Sequence, residues 1–109
     1  MHELSLTQSV VDAVLDRTGG RKVTAVNLTI GRLSGVVPEA VRFCFDVVAE
    51  GTTLAGAQLN IEEPAGAATC RSCGRDFEIS DPILLCPCGS ADVAIRSGRE
   101  LAVTSVRVV

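Results

Sequence analysis

The sequence predicts an α+β fold: a small mixed β-sheet packed with two helices, carrying an inserted zinc-ribbon-like module. Three observations predict it. Apolar periodicity switches from helical to alternating twice along the first 63 residues. A cysteine-dense segment then interrupts the pattern, and a Val-rich run follows it. With three Phe, no Tyr and no Trp, the core must rest on Val, Leu, Ile and Ala, which suits a sheet covered by helices.

Residues 4–18 read as an amphipathic helix. Leu4, Val11, Val14 and Leu15 recur at helical intervals, with Asp12, Asp16 and Arg17 on the other side. Ser5 and Gln8 have capping-box spacing, and Gly19-Gly20 ends the pattern. Residues 22–31 alternate as a strand, with Val26, Leu28 and Ile30 on one face and Asn27 and Thr29 on the other. The loop Arg32-Leu33-Ser34-Gly35 leads to a second helix near 38–50, opened by Pro38 and stopped by Gly51. Val41, Cys44, Phe45 and Val48 form its stripe, which makes Cys44 a core thiol rather than a ligand. Residues 57–63 form a second strand, with Leu59 and Ile61 on one face. Pro64-Ala65-Gly66 reads as a hinge, and short strands are expected near 67–69 and 77–79. The run from Leu101 to Val109 should return to the main sheet. Residues 1–66 and 98–109 would then form one α+β domain, with 67–97 inserted.

Bulk properties exclude several functions. A net charge of −3 and a pI near 5.0 argue against binding a phosphate backbone. No apolar run approaches the ~18 residues of a membrane span, and no signal-peptide pattern opens the chain. The expected location is the cytoplasm, where cysteines persist as thiols. Paired ones there read as zinc ligands before disulfides.

The cysteine spacing is C-x2-C-x12-C-x-C, through Cys70, Cys73, Cys86 and Cys88. Four thiolates meet the tetrahedral preference of zinc, and so short a module needs the metal for order. Cys86-Pro87-Cys88 is one residue tighter than the usual C-P-x-C knuckle. Asp92 is therefore kept as an alternative donor for one of its sulfurs. Four cysteines leave no open position for catalysis, so a metalloenzyme is disfavoured.

The lone histidine, His2, sits one residue from the chain amine. The Met1 amine, the His2 amide nitrogen and the His2 imidazole can close two fused chelate rings, with Glu3 completing a planar set. That geometry suits Ni(II) or Cu(II) better than Zn(II). On spacing alone, a lone histidine here is usually just an exposed side chain, and Glu3 a carboxylate favoured by the helix dipole.

Met1-His2-Glu3-Leu4-Ser5 resembles the start of the HypA/HybF family of nickel-insertion proteins. Ile30-Gly31-Arg32-Leu33-Ser34-Gly35-Val36-Val37-Pro38-Glu39 resembles that family's strand-to-helix segment, continued by Phe43, Phe45 and Gly51-Thr52. Cys70, Cys73, Cys86-Pro87-Cys88-Gly89-Ser90 and Ser97-Gly98-Arg99-Glu100-Leu101 resemble its zinc module and exit, apart from the contracted second knuckle. The resemblance covers nearly the whole chain. It implies a nickel metallochaperone, not an enzyme, that binds Ni(II) through Met1, His2 and Glu3 and holds a structural Zn(II). It implies delivery during maturation of nickel–iron hydrogenase, and in some species urease. The implied partners are a HypB-type GTPase and the hydrogenase large-subunit precursor, with neither nucleic acid nor membrane. An exposed sheet edge leaves a homodimer open. The alternative is a zinc-ribbon module for protein or RNA interaction without nickel transfer.

Overall fold

The central strand β1 (Val23–Ile30) organises the molecule. A computed structural model describes residues 2–81 and 83–109. Val26, Leu28 and Ile30 of β1 are buried, while Asn27 and Thr29 face the opposite side half-exposed, as the alternation predicts. β2 (Gln58–Glu62) pairs with β1 in parallel, with Val26 beside Leu59 and Leu28 beside Ile61. β6 (Leu101–Val108) pairs antiparallel on the other side, so the sheet is mixed, in the order β2-β1-β6. The Val-rich run does return to the main sheet. The register of β6 skips Thr104, a bulge that disturbs an edge strand and blunts its free side.

Helix α1 (Glu3–Thr18) and helix α2 (Pro38–Ala49) pack on each other and cover the sheet. α2 is the crossover that parallel β1 and β2 require. Val11, Val14, Val41, Phe45 and Leu54 join the β1 residues in one core. Burying Phe45 contributes about 2 kcal/mol by apolar area alone. Gly19 ends α1 in the left-handed conformation at φ 57°, its N–H returning to the Leu15 carbonyl.

Two local expectations fail. α1 begins two residues before Ser5, with His2 at the N-cap and no side-chain cap, so the capping box does not form. Gln8 instead donates to Asp12 one turn on. Leu4 is 58% exposed, and its place in the buried stripe is taken by Thr7, whose hydroxyl donates to the Glu3 carbonyl at 2.6 Å. A threonine can replace an apolar residue there because the bond back along the helix satisfies its oxygen.

The cysteine segment forms a second three-stranded sheet, in the order β4-β3-β5. β3 (Gly66–Cys70) pairs antiparallel with β4 (Asp76–Ile79) and β5 (Val93–Ser97). The sequence reading missed β5, which offers only Val93 and Ile95 as alternating apolar residues, both half-buried.

The two sheets meet at a backbone crossing. The Gly31 N–H donates to the Glu100 carbonyl and the Leu33 N–H to the Gly98 carbonyl, each at 2.7 Å, and the Arg32 N–H to the Pro64 carbonyl at 3.0 Å. A Cβ on Gly31 would lie 2.1 Å from the Gly98 oxygen. One on Gly98, at φ 113°, would lie 2.5 Å from the Gly66 Cα. Glycine is required here by contact, since backbone touches backbone.

Candidate metal centres

The cysteine cluster is built by two tight turns. Cys70 ends β3, and its N–H donates to the Arg75 carbonyl while its own carbonyl accepts from Gly74. The turn brings the Cys73 N–H to 3.5 Å from the Cys70 sulfur. In the contracted second knuckle the Cys88 N–H reaches the Cys86 sulfur at 3.4 Å, and Gly89 donates to the Cys86 carbonyl. Both knuckles therefore aim a backbone dipole at a sulfur, although their loops differ by one residue.

All four sulfurs lie within 4.8 Å of one another. The Cys70–Cys88 separation is 3.7 Å and the Cys73–Cys86 separation 3.6 Å. A tetrahedron with metal–sulfur arms of about 2.3 Å has edges of about 3.8 Å, so this donor set fits a zinc-sized ion. Cys70 and Cys86 are buried, and Cys73 and Cys88 are exposed. All four are free thiols.

The electrostatics divide the buried pair. The Cys73 backbone N–H holds the Cys70 thiol down to about 6, from an ordinary 9.0. Burial pushes the Cys86 thiol up to about 12. Without a metal, negative charge therefore settles on Cys70 well before Cys86. A dication reverses that logic and favours thiolate at every position.

Asp92, considered as a substitute donor, is engaged elsewhere. Its carboxylate accepts from the Arg71 guanidinium at 2.9 Å, and its carbonyl accepts from the Arg71 N–H. The contraction to C-P-C thus leaves both Cys86 and Cys88 inside the cluster. Sequence reasoning missed the ties between knuckles: the Arg71–Asp92 pair and the Ser72–Ser90 hydroxyl contact at 2.8 Å. The only signal for them was that each polar residue sits next to or near a ligand.

His2 and Glu3 stand apart from this cluster in the fold, at the N-cap and first residue of α1. Met1 lies outside the described residues, and with it the proposed amine donor. His2 is exposed, and its carbonyl accepts from the Leu6 N–H at 3.0 Å. Glu3 is half-buried, and its Oε2 accepts from the Val37 N–H at 3.3 Å. The first backbone N–H groups of a helix have no intrahelical acceptor. They present positive dipole ends, which oppose a cation unless a carboxylate such as Glu3 offsets them.

A model of the family described as "Hydrogenase/urease nickel incorporation, metallochaperone, hypA" matches residues 1–108. The chain belongs to the HypA family. A hydrogenase maturation factor HypA from Chlorobaculum tepidum is 46% identical over 112 residues, covering 99% of each chain. Another from Geotalea uraniireducens is 48% identical over 109 residues, again covering 99% of each. Among solved structures, the solution structure of the nickel metallochaperone HypA from Helicobacter pylori superposes with a TM-score of 0.66. It is 23% identical, with 99% of this chain and 97% of that one covered. HypA is a metallochaperone family rather than an enzyme family, and the observed α+β fold is the HypA fold.

Proposed function

We propose that this chain binds Ni(II) through Met1, His2 and Glu3 and delivers it during maturation of nickel–iron hydrogenase, in the cytoplasm. The observation that carries the reading is the first turn of α1. An exposed imidazole and a tethered carboxylate stand on adjacent residues there, in a family described by nickel incorporation. The ion is cargo. An exposed site suits it, because donors of an acceptor can approach as the first donors leave.

In this reading Cys70, Cys73, Cys86 and Cys88 hold a structural Zn(II) in a module of residues 67–97, inserted between 1–66 and 98–109. The sulfur separations support zinc, and hydrogen bonds between the knuckles supply the second layer that such sites use. A HypB-type GTPase and the hydrogenase large-subunit precursor are the proposed partners, with the urease system as a further recipient.

Native mass spectrometry of the untagged protein and His2→Ala, with Ni(II) added, tests this. One nickel in the parent, none in the variant and one zinc in both is the expected result. Equal nickel in both proteins overturns the assignment to His2.

A further inference from the structure

We propose that the outer face of α2 is a docking surface for a partner protein that presents an apolar pocket rimmed by lysine or arginine.

Phe43 is 71% exposed in the middle of this helix, and Val47, one turn on, is 54% exposed. Phe45 and Val41 face the core on the opposite side, so the exposure of Phe43 is not a failure of packing. An aromatic side chain held in water on a rigid helix costs solubility and adds nothing to the core. It is the residue type that most often anchors an interface.

The residues around it share one sign. Glu39, Asp46 and Glu50 stand at helical spacing from Phe43, and all three are exposed. The ion pairs among the described residues are Arg71–Asp92 and Arg96–Asp76, so none of these three carboxylates is paired with another described residue. Arg42, the one base on the helix, turns away to the Leu59 carbonyl at 2.7 Å. The last turn of α2 contains no basic residue, although its dipole would favour one. Acidic residues at that end weaken the helix slightly, which points to a role outside it.

Charge selects the occupant. In a twofold pairing of this face with its own copy, three carboxylates would oppose three carboxylates, which disfavours self-association. The same charge repels nucleic acid and anionic lipid. An apolar pocket with a basic rim matches both the anchor and its surround. Phe43 lies six residues along α2 from Val37, whose N–H holds Glu3. That is about 9 Å along the helix axis, so a protein docked here would sit beside the first turn of α1. Identifying the docked protein as one that exchanges nickel rests on the function proposed above; the surface itself does not.

The test uses the zinc-loaded full chain against the purified HypB-type GTPase and, separately, the large-subunit precursor, by titration calorimetry. Phe43→Ser and the double variant Asp46→Lys/Glu50→Lys are compared with the parent. The expected result is at least about tenfold weaker binding of one partner by each variant. Melting temperature should not fall in either variant, and nickel and zinc stoichiometry by native mass spectrometry should be unchanged. Binding by both variants at parental affinity overturns the proposal, as does failure of the parent to bind either protein. Self-association of the parent that Phe43→Ser removes would also overturn it, assigning the face to a second copy. Partner binding that depends on Phe43 in a parent that takes up no nickel would leave the surface standing and remove the nickel reading.

Discussion

The Glu3 carboxylate and the Val37 backbone N–H join the first turn of α1 to the N-cap of α2, at 3.3 Å. One carboxylate thus has two tasks, since the proposed nickel site also uses Glu3. The tasks separate by substitution. Glu3→Gln keeps an oxygen acceptor for Val37 and loses the charge. It should bind nickel more weakly while leaving the Val37 amide as protected from hydrogen exchange as in the parent. Glu3→Ala should lose both. Equal nickel affinity in Glu3→Gln and the parent would reduce Glu3 to a positioning residue.

Cys73→Ser should release zinc. Cys73 supplies both a sulfur and the N–H that faces the Cys70 sulfur, and its turn carries half the cluster. Amide protection should fall across residues 67–97, while α1 and α2 keep theirs, because the main core contains no residue of the second sheet. Unfolding of the helices in the same exchange experiment would show that the two sheets are one cooperative unit.

Zinc uptake should release a number of protons that depends on pH. Four thiols enter the cluster, and the Cys70 thiol, held at about 6, is already ionised near pH 7.5. About one proton fewer should then appear in weakly buffered solution near pH 7.5 than near pH 5. In the metal-free protein, the lowered Cys70 pKa means the folded state binds fewer protons than the unfolded chain between pH 6 and 9. Its contribution to stability is complete above 9 and disappears as pH falls through about 6. The raised Cys86 pKa works oppositely, and its contribution is lost as pH climbs from 9 toward 12. Proton release that stays constant from pH 5 to 7.5 would contradict the early ionisation of Cys70.

Glycine substitutions should have very different costs. Gly19→Ala meets open space and bears only the left-handed conformation, about 1 kcal/mol. Gly31→Ala drives a methyl to 2.1 Å from the Gly98 oxygen and should cost about 3 kcal/mol, because backbone on both sides must move. Guanidinium unfolding of the two variants measures the difference. Similar losses would mean that the crossing yields easily.

The main sheet was readable because its central strand buries one face. Val26, Leu28 and Ile30 could be placed from their alternation, and the return of the Val-rich run followed from its composition. Pro38 marked the start of α2 correctly. The start of α1 was misread because Ser5 and Gln8 match a cap at the level of spacing, whereas the helix uses backbone already available at His2. β5 was invisible because a small metal-centred sheet places little apolar surface on any one strand. The sulfur cluster was legible from cysteine spacing alone. The Glu3–Val37 tie was not, since it joins a side chain to a backbone group 34 residues away, and backbone donors leave no mark in sequence.

The backbone crossing also bears on the order of assembly. β6 must find β1 after a connection of roughly forty residues from the end of β2. Pairing of Ala67 with Ser97 in the second sheet brings the two ends of that excursion together. The effective loop falls to roughly eight residues, a little over two halvings, which removes about 1.3 kcal/mol of closure entropy. Metal captured by four sulfurs would thus act at a distance as a clasp on the third strand of the main sheet. A chain with that metal bound would then lock β6 into place more readily than one without it.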